Sequence, residues 1–228
     1  MSSDANDPKW PRLLGLAVHE IRTPLSTGLG FLGFLTRYDP PLTEQQLSFV
    51  TASRKAWGRI SDLADEMDEL AQFEAGKLAL ALELVQVSQA ISEAVAALPE
   101  SPDSAVLIDF SPGADTGVIQ ADATRLRKAF TSVLFALRRE VVTSPMLFVR
   151  ETRRAYNGRT VCWIAFGDAD NIDRLSTATE DRLTTFNEWR GGCGLKPAVA
   201  RRIIEAHGGA IFSPADGTKT GAVIALPR

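Results

Sequence analysis

A proline-rich break divides the first 75 residues into two long helical patterns. Asp39-Pro40-Pro41 cannot continue a helix, because proline has no backbone N–H to donate and its ring clashes with the preceding turn. Before the break, from about Pro11 to Tyr38, apolar residues recur in heptads. Leu14, Ile21, Gly28 and Leu35 fall at position a, Ala17, Pro24 and Phe31 at d, and Val18, Leu25 and Leu32 at e. This is a wide apolar stripe of the helical-bundle kind. Pro24 leaves the carbonyl of Glu20 without its donor, so a kink is expected there. After the break, Thr43 and Gln46 have the spacing of a capping box. Val50, Trp57, Ala64 and Ala71 then recur every seven residues, flanked by Ile60 and Met67. The short connection forces the two helices into an antiparallel hairpin. Two long helices cannot cover both apolar faces alone, and a symmetric homodimer closing a four-helix bundle solves this.

From about Leu82 the pattern becomes α+β, which sets domains at 1–78 and 79–228. Asp122 can cap a helix over 123–140. Met146 to Thr152 and Thr160 to Gly167 flank Asn157-Gly158, a hairpin-turn signal. Pro197 to Ala206 reads as a helix with proline at its start. Gly209 to Pro214 and Gly221 to Leu226 read as strands around Asp216-Gly217. The expected product is an α/β sandwich, an open sheet with helices on one face.

Composition narrows the function classes. The 228 residues carry a net charge of −3, with 45% hydrophobic and 23% charged residues. That balance is ordinary for a globular protein and argues against a nucleic-acid partner. No stretch is apolar for long enough to form a membrane segment, and the polar Met1 to Pro8 lacks a signal-peptide pattern, so a cytoplasmic location is expected. Cys162 and Cys193 form no close-spaced metal or redox pair and read as reduced structural thiols. No metal-ligand cluster is evident.

The sharpest chemical signal is His19-Glu20-Ile21-Arg22-Thr23-Pro24-Leu25. In the heptad frame His19 falls at f, away from the apolar stripe, with Glu20 at g and Thr23 one turn on, on the same helix face. Neutral imidazole is a good nucleophile near pH 7, and a carboxylate on one ring nitrogen fixes the tautomer. This string resembles the phosphoacceptor box of sensor histidine kinases. Ala121 to Leu126 resembles the start of that family's Asn-bearing helix, and Ile203 to Gly209 resembles the helix and turn after its glycine-rich lid. The resemblance implies that the second domain has the family's ATP-binding fold. It also implies that His19 is the phosphorylated residue, Glu20 its base or orienting partner, and Thr23 a residue that positions water for phosphatase action.

The departures from the family pattern are specific. Phe135 stands where the family has the Asn that holds Mg²⁺, and it offers no lone pair to a hard cation. Gly167 stands at the Asp that binds the adenine amino group, with Ala169 and Asn171 at two glycines. Sliding the match by one residue offers Asp168 but loses Ile172 and flips the strand faces. The third motif reads Gly192-Cys193-Gly194-Leu195-Lys196-Pro197 and retains two of three glycines, which with the following helix could cradle an anion. Phe186 to Gly191 is short for a lid over a nucleotide. The reading that fits is a histidine phosphotransfer protein of a two-component phosphorelay. Phosphate passes between His19 and an aspartate of a response-regulator receiver domain, no cofactor is bound, and the receiver supplies Mg²⁺. The alternatives are an atypical ATP-dependent sensor histidine kinase, with receiver phosphatase activity as an added option, and a non-catalytic signalling scaffold.

Overall fold

The computed structural model describes residues 9–37, 41–98, 106–112, 117–141, 144–215 and 220–228. The chain divides into two compact units, Met1–Leu78 and Ala79–Arg228.

The first unit is a helical hairpin of α1 (Lys9–Leu35) and α2 (Glu44–Glu74). Helix α1 is continuous through Pro24. Of the break, Tyr38, Asp39 and Pro40 lie outside the described residues. The capping box forms as the spacing requires: Gln46 N–H donates to Thr43 Oγ1 at 3.3 Å and Thr43 N–H to Gln46 Oε1 at 2.9 Å. The packed row of α1 is Val18 and Leu25, both buried, with Leu14 and Leu32 half-buried beside them. Ala17, Pro24 and Phe31, the expected d row, are exposed in this single hairpin. Successive residues sit ~100° apart around a helix. One partner helix covers only the row next to 17, 24 and 31, so these three stay open. Trp10, Leu13, Leu16 and Phe34 are also open, Phe34 being 72% exposed. Across the hairpin Val50, Ala64 and Ala71 are buried and Trp57 is half-buried.

Trp57 lies over Gly28, where a Cβ would stand 2.7 Å from the indole ring. The pair is a large residue seated on a missing side chain. Gly28→Val should therefore overpack the hairpin by ~1–3 kcal/mol. Chemical denaturation of the two proteins reads that difference, and Gly28→Val together with Trp57→Leu should recover part of it.

In the second unit, β1 (Glu83–Gln86) pairs antiparallel with β3 (Val118–Ala121). The main sheet has the order β2-β4-β5-β8-β7-β6 among the described residues. Its strands are β2 (Leu107–Ser111), β4 (Met146–Tyr156), β5 (Arg159–Gly167), β6 (Leu183–Thr185), β7 (Ala210–Pro214) and β8 (Gly221–Pro227). Strand β2 runs parallel to β4 and the other pairs are antiparallel. Asn157 and Gly158, both at positive φ, close the β4–β5 hairpin as a two-residue turn. Asp216 and Gly217, the expected turn before β8, lie outside the described residues. Helices α3 (Val87–Ala96), α4 (Ala123–Glu140) and α6 (Lys196–Ala206) pack together.

The expected single layer of helices is incomplete. Helix α5 (Ile172–Ser176) and Ala178 pack on Val161, Trp163, Ala165, Val223 and Ala225. The opposite sheet face carries Leu226, which, like Ile204 of α6, lies against the position a Cβ on Gly209 would take. Both faces are therefore covered. Strand β5 states the reason: Val161 to Phe166 is apolar without alternation and every residue in it is buried, the mark of a strand enclosed on two sides. Trp163 donates its indole N–H to the Leu175 carbonyl at 3.1 Å, which anchors α5 to the sheet.

Asp122 joins three parts of this unit. Its Oδ1 accepts from Arg125 N at 3.0 Å as the α4 cap, and its Oδ2 accepts from Ala81 N at 3.1 Å. Its own N–H donates to His207 Nε2 at 2.9 Å, and His207 Nδ1 meets the Ile203 carbonyl at 2.7 Å. Nε2 is thus the acceptor and Nδ1 carries the hydrogen. His207 is a structural tie between the end of α6 and the start of α4. His207→Ala strands the buried N–H of Asp122 and should cost ~1–3 kcal/mol in an unfolding titration.

Burial alone would raise the Asp122 pKa. The N–H bonds from Arg125 and Ala81, and the charge of Arg125, outweigh it and hold the carboxyl below its usual 3.8. A depressed folded pKa adds stability above the unfolded value, and that stability is lost as pH falls through the folded one. Melting temperatures should therefore drop more steeply below about pH 3.8 in the native protein than in Asp122→Asn.

Candidate functional site

The seven-residue string on α1 lies in mid-helix, well away from the fraying ends. His19, Glu20 and Thr23 are all exposed, while Val18 and Leu25 on the packed row fix the rotation of the helix. Arg22 adds an anchor: its Nη2 meets Asp65 Oδ1 of α2 at 2.8 Å. Both partners are solvated, so the pair contributes at most ~1 kcal/mol, but it marks the side of α1 that faces α2. His19 points to solvent beside it.

The structure does not join the three side chains into one network. Among the described residues, nothing hydrogen-bonds to the His19 ring. Glu20 is the next residue in the helix, and neighbours at i,i+1 diverge rather than face each other. Thr23 does share the His19 face, but its hydroxyl donates to the His19 carbonyl at 3.4 Å. What is presented is an open imidazole with a carboxylate and a hydroxyl within one turn, free to engage another molecule.

In the second unit, the positions singled out by sequence lie on α4, at the end of β5 and before α6. Phe135 is half-buried on α4, with the Arg139 guanidinium 5.9 Å from its ring centroid. Gly167 ends β5. A Cβ there would collide with Asn171 Oδ1. Asn171 is 4% exposed and its Nδ2 donates to the Thr220 carbonyl. The glycine at 167 and the asparagine at 171 therefore go together: the amide fills the space that a longer side chain at 167 would need. Asp168 is committed locally, its Oδ1 accepting from the N–H groups of Asp170 at 3.1 Å and Asn171 at 3.2 Å. Gly192 and Gly194 stand at φ 56° and 66°, a conformation that favours glycine. They shape the turn into α6.

The segment before that turn is clasped to α4. Arg190 is buried, and its Nε donates to both Glu140 oxygens at 3.1 Å and its Nη2 to Glu140 Oε2 at 2.6 Å. Its Nη1 donates to the Gly221 carbonyl at 2.8 Å, and the guanidinium lies 5.4 Å from the Phe186 ring centroid. Sequence reasoning placed Asn171 at a family glycine but missed its bond to the Thr220 carbonyl, and it missed this Arg190–Glu140 clasp. Fifty residues separate the two ionic partners, and no local pattern couples them.

These residues do not fit a magnesium nucleotide held by an Asn oxygen and an adenine-binding Asp. Phe135 has no oxygen for a hard cation and Gly167 no carboxylate. Among the described residues, no group of three or more His, Cys, Asp or Glu could hold a metal ion. A cavity of about 260 Å³ lies elsewhere, lined by Arg174, Asp181, Arg182 and Pro214 among others, and touches none of Phe135, Gly167, Gly192 or Gly194. Both cysteines are buried and unbridged. No helix among the described residues is long and apolar enough to cross a membrane.

Residues 12–76 match the family described as "His Kinase A (phospho-acceptor) domain". The match contains His19, all of α2 and all but the first residues of α1. The chain is similar to the circadian input-output histidine kinase CikA of Synechococcus elongatus, 26% identical over 200 residues, covering 85% of this chain and 26% of that protein. It is similar to the sensor protein DivL of Caulobacter vibrioides, 27% identical over 197 residues, covering 86% of this chain and 25% of that protein. It therefore spans about a quarter of the length of these two relatives. Among solved structures, full-length ShkA in complex with AMPPNP superposes with a TM-score of 0.66 at 24% identity, over 96% of this chain and 46% of that one. The Acinetobacter baumannii histidine kinase AdeS superposes with a TM-score of 0.57 at 19% identity, over 92% of this chain and 97% of that one. These two likenesses show the fold.

Proposed function

We propose that this chain, a member of the sensor histidine kinase family, carries a phosphoryl group on His19 within a two-component phosphorelay and takes it from a receiver domain rather than from ATP. The observation that carries this reading is the combination of an open His19 with a second unit holding Phe135, Gly167 and a space-filling Asn171 at the nucleotide positions. A ring nitrogen of neutral His19 attacks the phosphorus of an aspartyl phosphate on the receiver. The N–P bond forms as the aspartyl O–P bond breaks, and the carboxylate leaves on the receiver, so the step is reversible. Glu20 orients the ring and takes up its proton once the partner is docked. Thr23, one turn away, is placed to hold a water when the phosphoryl group is to be hydrolysed. The metal that neutralises phosphoryl charge belongs to the receiver's own acidic site. The exposed apolar residues of the hairpin, Phe31 and Phe34 among them, are covered in a homodimer that closes a four-helix bundle. A receiver partner places the chain in the cytoplasm.

The named relatives are kinases or sensor proteins, and this favours a second reading, in which the chain phosphorylates His19 from ATP. The two separate in one experiment. The full chain is incubated in parallel with labelled ATP and Mg²⁺ and with a receiver domain carrying labelled aspartyl phosphate. Label from the receiver alone supports the relay, and label from ATP alone supports the kinase.

A further inference from the structure

The hairpin around His19 is acidic, with one cation set into it. Between Leu13 and Leu35, α1 has a single Lys or Arg, which is Arg22. From Ile60 to Glu74, the part of α2 that runs alongside, the sequence has the carboxylates Asp62, Asp65, Glu66, Asp68, Glu69 and Glu74 and no Lys or Arg. Two contacts fix the register: Trp57 lies over Gly28, and Arg22 Nη2 donates to Asp65 Oδ1 at 2.8 Å. Antiparallel packing then sets His19, three residues before Arg22, level with Asp68. Residues three apart on a helix are neighbours, with ~5–6 Å between their Cβ atoms. The Arg22 side chain is therefore long enough to reach a group carried on the His19 ring. Asp65 engages its Nη2, while its Nη1 and Nε have no partner among the described residues. The guanidinium is anchored at one corner and open at the others.

We infer that Arg22 is the residue of this chain that grips the phosphoryl group on His19, and that Asp65 is its positioning residue. The inference rests on the reading in which His19 carries phosphate. A phosphoryl group brings close to two negative charges near pH 7. During transfer the receiver's metal offsets them, but that metal leaves with the receiver. The phosphohistidine left behind stands beside Glu20 and the α2 carboxylates, and like charges at such spacings repel. A guanidinium presents five donors in a planar fork suited to phosphate oxygens, and it stays protonated throughout. Arg22 thus acts by hydrogen bonds and charge and moves no proton. Asp65 holds one corner of the fork and leaves the other nitrogens for the phosphoryl oxygens. Both side chains of the ion pair are solvated, 44% and 63% exposed, so the pair adds little to folding. Its effect falls on the phosphorylated state.

The test phosphorylates His19 in the full chain with phosphoramidate, a small donor that needs neither receiver nor ATP. The ring nitrogen forms a new N–P bond as the donor's N–P bond breaks, and ammonia leaves with the proton given up by the ring. Phosphorus NMR then follows the titration of the phosphoryl group. A cation held beside it favours the dianion, so the native midpoint should lie ~0.5 pH unit or more below that of Arg22→Ala. Asp65→Asn should fall between the two, and Arg22→Lys, which keeps the charge, should recover most of the shift. Added salt should narrow the gap. Arg59→Ala removes an equal charge from the exposed part of α2 near Trp57 and should titrate as the native protein does. With a labelled receiver as donor, Arg22→Ala should slow transfer ~10-fold or more at saturating receiver. Equal midpoints in the native protein and Arg22→Ala, or an equal shift in Arg59→Ala, overturn the inference while phosphate on His19 stands. A receiver that gives no label to the native protein overturns the relay reading and leaves the NMR result intact. Phosphoramidate label absent from His19 overturns the inference.

Discussion

On the proposed reading, His19→Ala should leave the protein folded and unable to accept phosphate. The side chain is exposed and makes no hydrogen bond among the described residues, so its removal changes no packing. The melting temperature should shift by less than a degree or two, in line with surface substitutions of ~0.5 kcal/mol or below. Transfer from a labelled receiver should fall to background, a loss of ~1,000-fold or more, as when an enzyme loses its only nucleophile. His19→Gln should behave identically, because an amide nitrogen has no basic lone pair to attack phosphorus. A receiver-dependent signal of undiminished size in either variant would place the acceptor elsewhere, and a gel shift after acid treatment separates the two cases, since phosphohistidine is acid-labile and a phosphoester is not.

Arg190→Ala should be the most damaging substitution in the second unit. The Arg190 side chain is 4% exposed and that of Glu140 18%, so truncating the cation leaves a largely buried carboxylate without its partner. Breaking a buried pair from one side costs ~3–5 kcal/mol. The Gly221 carbonyl also loses its donor and the Phe186 ring its cation. Denaturant titration should show a lower midpoint, and the unit can approach complete unfolding at physiological temperature if its total stability is ordinary. The double substitution Arg190→Met with Glu140→Leu should restore most of the loss, because replacing both members by apolar groups of similar volume removes the stranded charge. Trp189, adjacent to Arg190 and 86% exposed, reports locally: its fluorescence should change in the single variant at denaturant concentrations where the helical hairpin is intact.

What could be read from sequence was governed by short-range rules. Thr43 and Gln46 specify a helix start three residues long, Asp122 caps α4 through Arg125 N, and Asn157-Gly158 fixes a two-residue turn; each needs only its neighbours. The outward placement of His19 followed from the same periodicity. Errors arose where partners are distant. On α1 the e row, Val18 and Leu25, faces α2, and the d residues Ala17, Pro24 and Phe31 lie on the side that α2 leaves open. Helix α5 crosses to the second sheet face because Val161 to Phe166 is apolar at every position, a pattern that periodicity alone does not orient. Arg190 and Glu140 lie fifty residues apart, with β4, β5 and β6 between them in sequence. The nucleotide positions were legible as substitutions, but the reason they stand together, an Asn171 amide occupying the space above Gly167, required coordinates.

The source of the phosphoryl group depends on whether the second unit binds nucleotide. A calorimetric titration of the intact protein with a non-hydrolysable ATP analogue and Mg²⁺ settles it. Loss of two or three polar contacts at ~1–3 kcal/mol each weakens such a site ~100-fold or more, so no saturable heat should appear below millimolar analogue. A micromolar dissociation constant would show that Phe135, Gly167 and Asn171 tolerate the nucleotide and that His19 is served by ATP.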